Sequence, residues 1–332
     1  METGAIAGAS ERLRESIERV IVGKSPVIEL ALTALLCNGH VLLEDVPGSG
    51  KTTLAKAIAG SLGCSFGRIQ FTPDLMPSDI VGLNYFNQKA SDFELRRGPI
   101  FAQVILADEV NRATPRTQAA LLEAMQEGQV TIEGSTLTLP VPFMVMATQN
   151  PIELEGTFPL PEAQLDRFLL RLRIGYPTVE EEIRMVERFN EGDPLSELTP
   201  VLQPEKLIEM QQAVRMIRVE PSVLKYLTNV VRATRMHAGL ELGASPRATL
   251  ALHRAAQALA AQRGREYVIP DDVKYLAPWV LGHRLILTAQ SRLRGQAADS
   301  VIEEVLNSVA VPVEADSSPV AEEAESAATS SL

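Results

Sequence analysis

Cysteine is scarce in this chain. Its 332 residues include two, Cys37 and Cys64, so no disulfide framework holds the fold and a reducing compartment is the natural setting. Histidine is almost as sparse. His40, His237, His253 and His283 never fall at metal-ligand spacing alongside cysteine, which argues against a structural zinc site. No run approaches the ~18 apolar residues that read as a membrane span. Met1 to Arg14 is polar and already acidic at Glu2, the wrong pattern for a signal or transit peptide. We therefore expect a soluble, cytoplasmic protein without membrane insertion. Excess basic charge is missing too: 31 Lys and Arg face 42 Asp and Glu, a net charge of −11. That balance does not suit a protein that coats nucleic acid, although a local basic patch is compatible with it. There is no internal repeat of the kind that builds solenoids or propellers.

What is present is an ordinary globular composition, 45% hydrophobic and 22% charged, in a chain long enough for about two domains. The first half alternates helix-like and strand-like stretches. Glu11–Val20 and Pro26–Leu36 read as helices, the second with its proline at a helix start. His40–Leu43 is a short apolar strand that ends at a Pro-Gly turn, and Thr52–Leu62 is helical. Arg68–Phe71, Ile100–Ala107 and Phe143–Thr148 are strand candidates, with a helix over Thr117–Met125 and a β-hairpin over Thr131–Leu139 turning at Glu133-Gly134-Ser135. Strands separated by helices predict an α/β fold, a mostly parallel sheet covered on both faces.

The pattern changes after Tyr176-Pro177. Glu180–Phe189, Glu205–Met216, Pro221–His237, Pro246–Arg263 and Asp271–Ser291 all read as helices, and prolines punctuate the segments where helices begin. Residues 1–177 are thus expected to form an α/β domain and 178–310 a smaller all-helical domain. Residues 311–332, rich in Ala, Ser and Glu and without Lys, Arg or aromatics, are expected to be a disordered acidic tail.

The strongest chemical signal is Val41 to Thr53. A hydrophobic strand runs into Pro47-Gly48-Ser49-Gly50, then Lys51-Thr52-Thr53, then a helix. Consecutive backbone N–H groups in such a turn make an anion-binding nest, reinforced by the helix start. Lys51 would reach the β- and γ-phosphates of a nucleotide, and the Thr52 hydroxyl would serve Mg²⁺. Gly48 and Gly50 let the backbone approach phosphate without a Cβ in the way. One position departs from the usual pattern, which has glycine where this chain has Asp45; its side chain is expected to point away from the phosphates.

Val104 to Glu109 is an apolar strand ending in two acids, the Walker B arrangement. Asp108 would hold the Mg²⁺ shell through a bridging water, and Glu109 would orient and polarise the attacking water. Phe143 to Asn150 is a strand delivering an amide, Asn150, to the same sheet edge; in isolation Asn150 also reads as a turn residue before Pro151. Arg167 lies on a short polar stretch beyond that strand, either a finger for a transferred phosphoryl group or half of a surface ion pair with Asp166. Arg247 sits in the first turn of a helix starting at Pro246, where the helix dipole disfavours a cation and an anion would compensate.

Together these residues resemble an AAA+ ATPase, and more narrowly the MoxR family. The narrower likeness rests on Phe71 to Gly82, Arg97 to Phe101, Asp108 to Ala113 and Gly156 to Phe168, and it spans roughly residues 10 to 310. The resemblance implies a P-loop AAA+ module with a helical lid, hydrolysing ATP with Mg²⁺ and working as a homo-oligomeric ring, usually a hexamer. It makes Asn150 sensor 1, Arg167 the finger acting on a neighbour's ATP and Arg247 sensor 2, with Gln70 restraining Glu109. Asp74 to Gly98 would hold an inserted segment. It also implies a chaperone-like remodeller or maturation factor for client proteins, with von Willebrand A domain partners; that domain's Asp-x-Ser-x-Ser signature is absent here, so its metal site would come from the partner. A DNA-dependent motor is the alternative, but the hairpin Thr131–Leu139 has no Lys or Arg, whereas Lys89, Arg96 and Arg97 lie in the insertion. A metal-chelatase subunit is a further alternative. The Asn-Lys-x-Asp guanine motif is absent, which favours ATP over GTP.

Overall fold

The computed structural model describes residues 2–89, 91–150 and 156–312; the expected acidic tail lies outside the described residues from 313 onward. Two helices, Thr3–Glu18 (α1) and Ser25–Leu36 (α2), precede the first strand, Val41–Glu44 (β1). Lys51–Ser61 (α3) and Phe66–Gln70 (β2) follow. A short helix Pro77–Val81 (α4) leads into an antiparallel hairpin, Gly82–Asn87 (β3) and Asp92–Arg97 (β4). Then come Val104–Asp108 (β5), Pro115–Glu127 (α5), a second hairpin Gln129–Ile132 (β6) and Ser135–Thr138 (β7), Met144–Gln149 (β8), the short Glu162–Leu165 (α6) and Leu170–Leu172 (β9).

Among the described residues, five strands form one parallel sheet in the order β2-β5-β8-β1-β9. The inner strands β1, β5 and β8 are buried on both sides, and their successive side chains feed opposite cores. Val41, Leu43, Leu106, Met144 and Met146 join one core with α1, α2 and α3. Leu42, Ile105, Ala107, Val145 and Ala147 join the other, with α5 and the β6–β7 hairpin. This explains why the strands read as continuous apolar runs rather than as an alternating pattern.

The helical part consists of Val179–Glu191 (α7), Pro204–Val214 (α8), Pro221–Thr234 (α9), Pro246–Gln262 (α10), Pro270–Leu281 (α11), Ala289–Leu293 (α12) and Ala298–Ser308 (α13). Two short antiparallel strands, Leu240–Leu242 (β10) and Ile286–Leu287 (β11), lie among them. Helices α8 to α11 share the core of α1 and α2. Polar contacts fix the join: Gln211 Nε2 donates to the Leu35 carbonyl at 2.7 Å, Gln262 Nε2 to Thr33 Oγ1 at 2.7 Å, and Arg263 pairs with Glu29 at 3.1 Å. No helix among the described residues is long and apolar enough to cross a membrane.

Several expectations need correction. The strand expected over Ile100–Ala107 begins at Val104, because Pro99–Phe101 forms a 3₁₀ turn after Gly98. The single helix expected over Asp271–Ser291 ends at Leu281. A 3₁₀ turn, Gly282–Arg284, follows it and buries His283 and Arg284. Strand β9 and helix α13 were not anticipated, and α1 starts at Thr3 rather than Glu11. The segment Asp74 to Gly98 is α4 plus the β3–β4 hairpin. Two glycines close its base: a Cβ on Gly82 would stand 2.2 Å from the Arg96 carbonyl oxygen, and one on Gly98 2.1 Å from that of Ile80. The hairpin expected over Thr131–Leu139 is present as β6–β7.

His40, just before β1, links three elements. Its Nε2 donates to the Met125 carbonyl at 3.0 Å, and its Nδ1 accepts from the Val145 N–H at 3.0 Å. Both ring nitrogens are satisfied only in the neutral tautomer, and burial lowers the pKa to about 4 from an ordinary 6.5. Protonation is therefore easier in the unfolded chain. The stability that this site contributes is complete above about pH 6.5 and is lost as pH falls toward 4. Between about pH 7 and about pH 5 the loss should be about 2 kcal/mol. Urea unfolding of the wild type and of His40→Gln, which keeps a donor and an acceptor but does not titrate, should differ in pH dependence by that amount.

Candidate nucleotide site

The parallel sheet presents the ends of β1, β5 and β8 at one edge. Beyond β1 the chain enters the Pro47–Gly50 turn, where Gly48 and Gly50 hold φ of 81° and 88°, left-handed values that favour glycine. Gly50 is the residue before α3, so the first N–H groups of that helix, from Lys51 onward, have no partner within it. Lys51 Nζ donates to the carbonyls of Asp45 at 3.0 Å and Val46 at 2.6 Å, folding its side chain over the loop.

Asp45 has a defined task. Its Oδ1 accepts from the Val46 N–H at 2.8 Å, and its Oδ2 accepts from the N–H groups of Ile174 at 2.7 Å and Gly175 at 2.6 Å. The carboxylate thus faces the exit of β9, as the expectation of a side chain turned from the phosphates required.

The acids at the end of β5 are held by neighbours. Asp108 Oδ1 accepts from Thr148 Oγ1 at 2.7 Å, and Asp108 Oδ2 pairs with Arg68 at 2.7 Å. The Thr148 hydroxyl also accepts from the Glu109 N–H at 2.8 Å. Glu109 itself has φ 57°, ψ 51°, a left-handed conformation uncommon outside glycine that turns its side chain from the line of the strand. Glu109 Oε2 accepts from Gln70 Nε2 at 3.1 Å and pairs with Arg112 at 3.0 Å. Gln70 Oε1 accepts in turn from Arg68 at 2.7 Å. Asn150 is buried at the end of β8.

An open cleft of ≈ 360 Å³ collects these groups. Lys51, Thr52, Asp108, Glu109, Thr148 and Asn150 line it, with Pro47, Gly48, Gly50, Thr53, Arg68 and Gln149. The donor set suits a polyphosphate with a hard divalent cation: loop and helix N–H groups, one ammonium, one hydroxyl and two carboxylates. A second cavity of ≈ 210 Å³ adjoins it and shares Gly48, Gly50 and Thr53. Its walls are apolar, with Val20, Ile21, Val22, Ile174, Met185 and Phe189.

Arg167 and Arg247 stand elsewhere. Both line a different cavity of ≈ 320 Å³, and neither lines the phosphate cleft. Arg167 Nη1 donates to the Leu122 carbonyl at 2.5 Å, while its buried Nε has no hydrogen-bond partner among the described residues. The surface pair considered for Arg167 with Asp166 does not form: Asp166 pairs with Arg284 of the lid at 2.6 Å.

Sequence reasoning missed Arg68, Thr148 and the apolar cavity. Thr148 was within reach of it, two residues before Asn150 on an identified strand. Arg68 and the apolar walls come from distant segments with no local motif.

Residues 40–170 match the family model described as the ATPase family associated with various cellular activities, and residues 232–305 match the AAA lid domain. Uncharacterized protein YeaC of Bacillus subtilis is 51% identical over 300 residues, covering 90% of this chain and 94% of that protein. Chaperone MoxR1 of Mycobacterium tuberculosis is 44% identical over 311 residues, covering 91% of this chain and 82% of that protein. A crystal structure from Cytophaga hutchinsonii superposes with a TM-score of 0.88 at 37% identity, covering 94% of this chain and 97% of its own.

Replacing Asp45 tests the loop anchor. Asp45→Ala leaves the N–H groups of Ile174 and Gly175 without their acceptor, each at a cost of about 1–3 kcal/mol. Urea unfolding should show a loss of about 2–6 kcal/mol, and isothermal titration should show weaker nucleotide binding. Asp45→Asn, which retains one acceptor oxygen, should fall between the two.

Proposed function

The chain belongs to the MoxR family of AAA+ ATPases, and from that premise we propose that it is a ring-forming remodeller of client proteins whose ATP is bound by one subunit and completed by the next. The observation that carries this reading is the separation of the two halves of the machinery. The phosphate loop and the β5 and β8 carboxylate and amide groups share one cleft, while Arg167 and Arg247 share another cavity.

In this reading the loop N–H groups and Lys51 bind the phosphates, and Lys51 leaves the carbonyls of Asp45 and Val46 to do so. The adjoining apolar cavity takes the adenine base between Val20–Val22 and Met185 and Phe189. Thr52 and Asp108 are the residues that would hold Mg²⁺, Asp108 through water. Mg²⁺ would neutralise charge on the β- and γ-phosphates. Glu109 orients and polarises the attacking water, and Asn150 bonds the γ-phosphate or that water. Thr148 fixes Asp108 and the Glu109 backbone at once, so both carboxylates share one frame. The contact of Gln70 with Glu109 restrains the carboxylate until nucleotide arrives.

Arg167 and Arg247 then act on the neighbour's nucleotide, where finger arginines in related phosphoryl-transfer enzymes contribute about 10³–10⁵ in rate. The ring in this reading is a homo-oligomer, a hexamer as the family resemblance implies. The working module divides near Tyr176-Pro177 into the α/β domain, residues 1–177, and the lid, 178–310, with an acidic tail at 311–332.

A protein client is supported by two surface features. The β6–β7 hairpin contains no Lys or Arg. Beside it, joined by Asn84 Nδ2 donating to Glu133 at 3.0 Å, the β3–β4 hairpin exposes an edge-to-face pair, Phe86 and Phe93, with ring centroids 5.3 Å apart. Exposed aromatics on paired hairpins suit an apolar polypeptide segment better than a phosphate backbone. Von Willebrand A domain proteins are the partners this reading names.

Two experiments test it. Lys51→Ala should abolish nucleotide binding, whereas Glu109→Gln should bind ATP and lose turnover; wild-type hydrolysis by Glu109→Gln would remove Glu109 from its role. The trans arrangement predicts that Arg167→Ala and Lys51→Ala are each inactive alone but recover activity in part when mixed, since some interfaces then join an intact pocket to an intact finger. ATPase activity against protein concentration, with co-assembly checked by light scattering, reads the outcome.

A further inference from the structure

The cavity that holds Arg167 and Arg247 is also lined by Arg254 and Arg284. Arg284 differs from the others because its side chain is only 3% exposed. It lies in the 3₁₀ turn that interrupts the lid helices, and its guanidinium reaches the segment that carries Arg167. Nε donates to Asp166 Oδ1 at 2.6 Å. Nη2 donates to the Asp166 carbonyl at 3.3 Å and the Phe168 carbonyl at 2.6 Å, so the backbone is gripped on both sides of Arg167. Nη1 donates to the carbonyls of Leu169, at 3.3 Å, and Val280. The neighbouring His283 donates from Nε2 to the same Phe168 carbonyl at 3.1 Å.

Asp166 has a second bond. Its Oδ2 accepts from Ser245 Oγ at 3.1 Å, and Ser245 precedes helix α10 by one residue and Arg247 by two. One carboxylate therefore ties the turn bearing Arg167 to the helix start bearing Arg247, and Arg284 locks that carboxylate in place. Burial disfavours the charge of Arg284, and its bond to Asp166 offsets part of this. Among the described residues that line this cavity, Arg167, Arg247, Arg254 and Arg284 face the single carboxylate Asp166, so the arrangement keeps a surplus of positive charge for an anion.

We propose that Asp166 and Arg284 are positioning residues that hold Arg167 and Arg247 at one spacing, so that both arginines meet the neighbouring subunit's phosphates as a single rigid unit. This rests on the trans reading above. Two long side chains from separate domains would otherwise have to be ordered independently at each turnover; a shared anchor removes most of that cost before the phosphates arrive. The lid and the finger then cannot move apart without breaking the Asp166 bonds, which makes lid position a determinant of hydrolysis in the next subunit.

Asp166→Asn in the full-length chain tests this. Turnover should fall at least tenfold while nucleotide affinity of the subunit's own cleft, read with a fluorescent ADP analogue, stays within twofold. Mixing separates positioning from general damage. Asp166→Asn mixed with Lys51→Ala should regain activity, because Lys51→Ala supplies an intact arginine pair to an intact pocket. Asp166→Asn mixed with Arg167→Ala should not, because both lack a working finger side. The double variant Asp166→Asn/Arg167→Ala should be no slower than Arg167→Ala alone.

Wild-type turnover in Asp166→Asn, or no recovery with Lys51→Ala despite confirmed co-assembly, overturns the proposal. If Arg167→Ala and Arg247→Ala are themselves fully active, the trans reading fails and the proposal falls with it. If both are inactive while Asp166→Asn is not, the positioning proposal alone fails. Should Asp166→Asn not fold, Ser245→Ala and Arg284→Lys carry the test, with expected losses of about threefold and about tenfold in turnover at unchanged nucleotide affinity; unchanged turnover in both overturns it.

Discussion

The nucleotide site depends on one buried carboxylate. Asp45 stands where β1 becomes the phosphate loop, and its three backbone N–H partners belong to the loop itself and to the exit of β9. β1 lies between β8 and β9 in the sheet, so this bond set ties the loop to the strand beside it. Ile174 and Gly175 also wall the apolar cavity. Loop, apolar cavity and the path into the lid are thereby fixed relative to one another by a group that does not itself line the cleft.

From that anchor the rest of the cleft follows from strand register. β2 pairs with β5 so that Gln70 lies opposite Asp108, and β5 pairs with β8, whose Thr148 crosses over to the Asp108 carboxylate. Parallel strands end at the same edge, which is why residues from three distant segments arrive together. The carboxylates of the cleft have partners within the chain: Asp108 has Arg68, and Glu109 has Gln70 and Arg112. Such pairing orients the carboxylates and keeps the cost of exposing them in a narrow cleft small.

The lid is joined to the α/β part through a continuous core rather than through a hinge alone. Leu207, Met210, Leu252 and Leu259 belong to the same cluster as Ile28, Leu32 and Leu35 of α2. The Asp166–Arg284 pair adds a polar clamp between the segment after α6 and the turn after α11. Packing at both places leaves Arg167 and Arg247 on one surface, away from the phosphate loop of their own chain.

Much of this was readable in the residues. Pro47 to Thr53 announced a phosphate loop because the chemistry needs those residues in consecutive order. Val104 to Glu109 announced an acidic strand end for the same reason. The alternation of strand and helix set the parallel sheet, since strands buried on both faces must be apolar throughout. What local pattern could not carry was any feature made by distant partners. Asp45 looked like a departure from a motif until Ile174 and Gly175 came beside it. Asp271–Ser291 read as one helix because nothing within it shows that Phe168 and Asp166 wait for His283 and Arg284. Thr148 and Arg68 gained their roles only when register brought them to Asp108. Continuous motifs are determined by neighbours in the chain, whereas the cavity that Arg167 and Arg247 share exists only because segments far apart in sequence pack together in space.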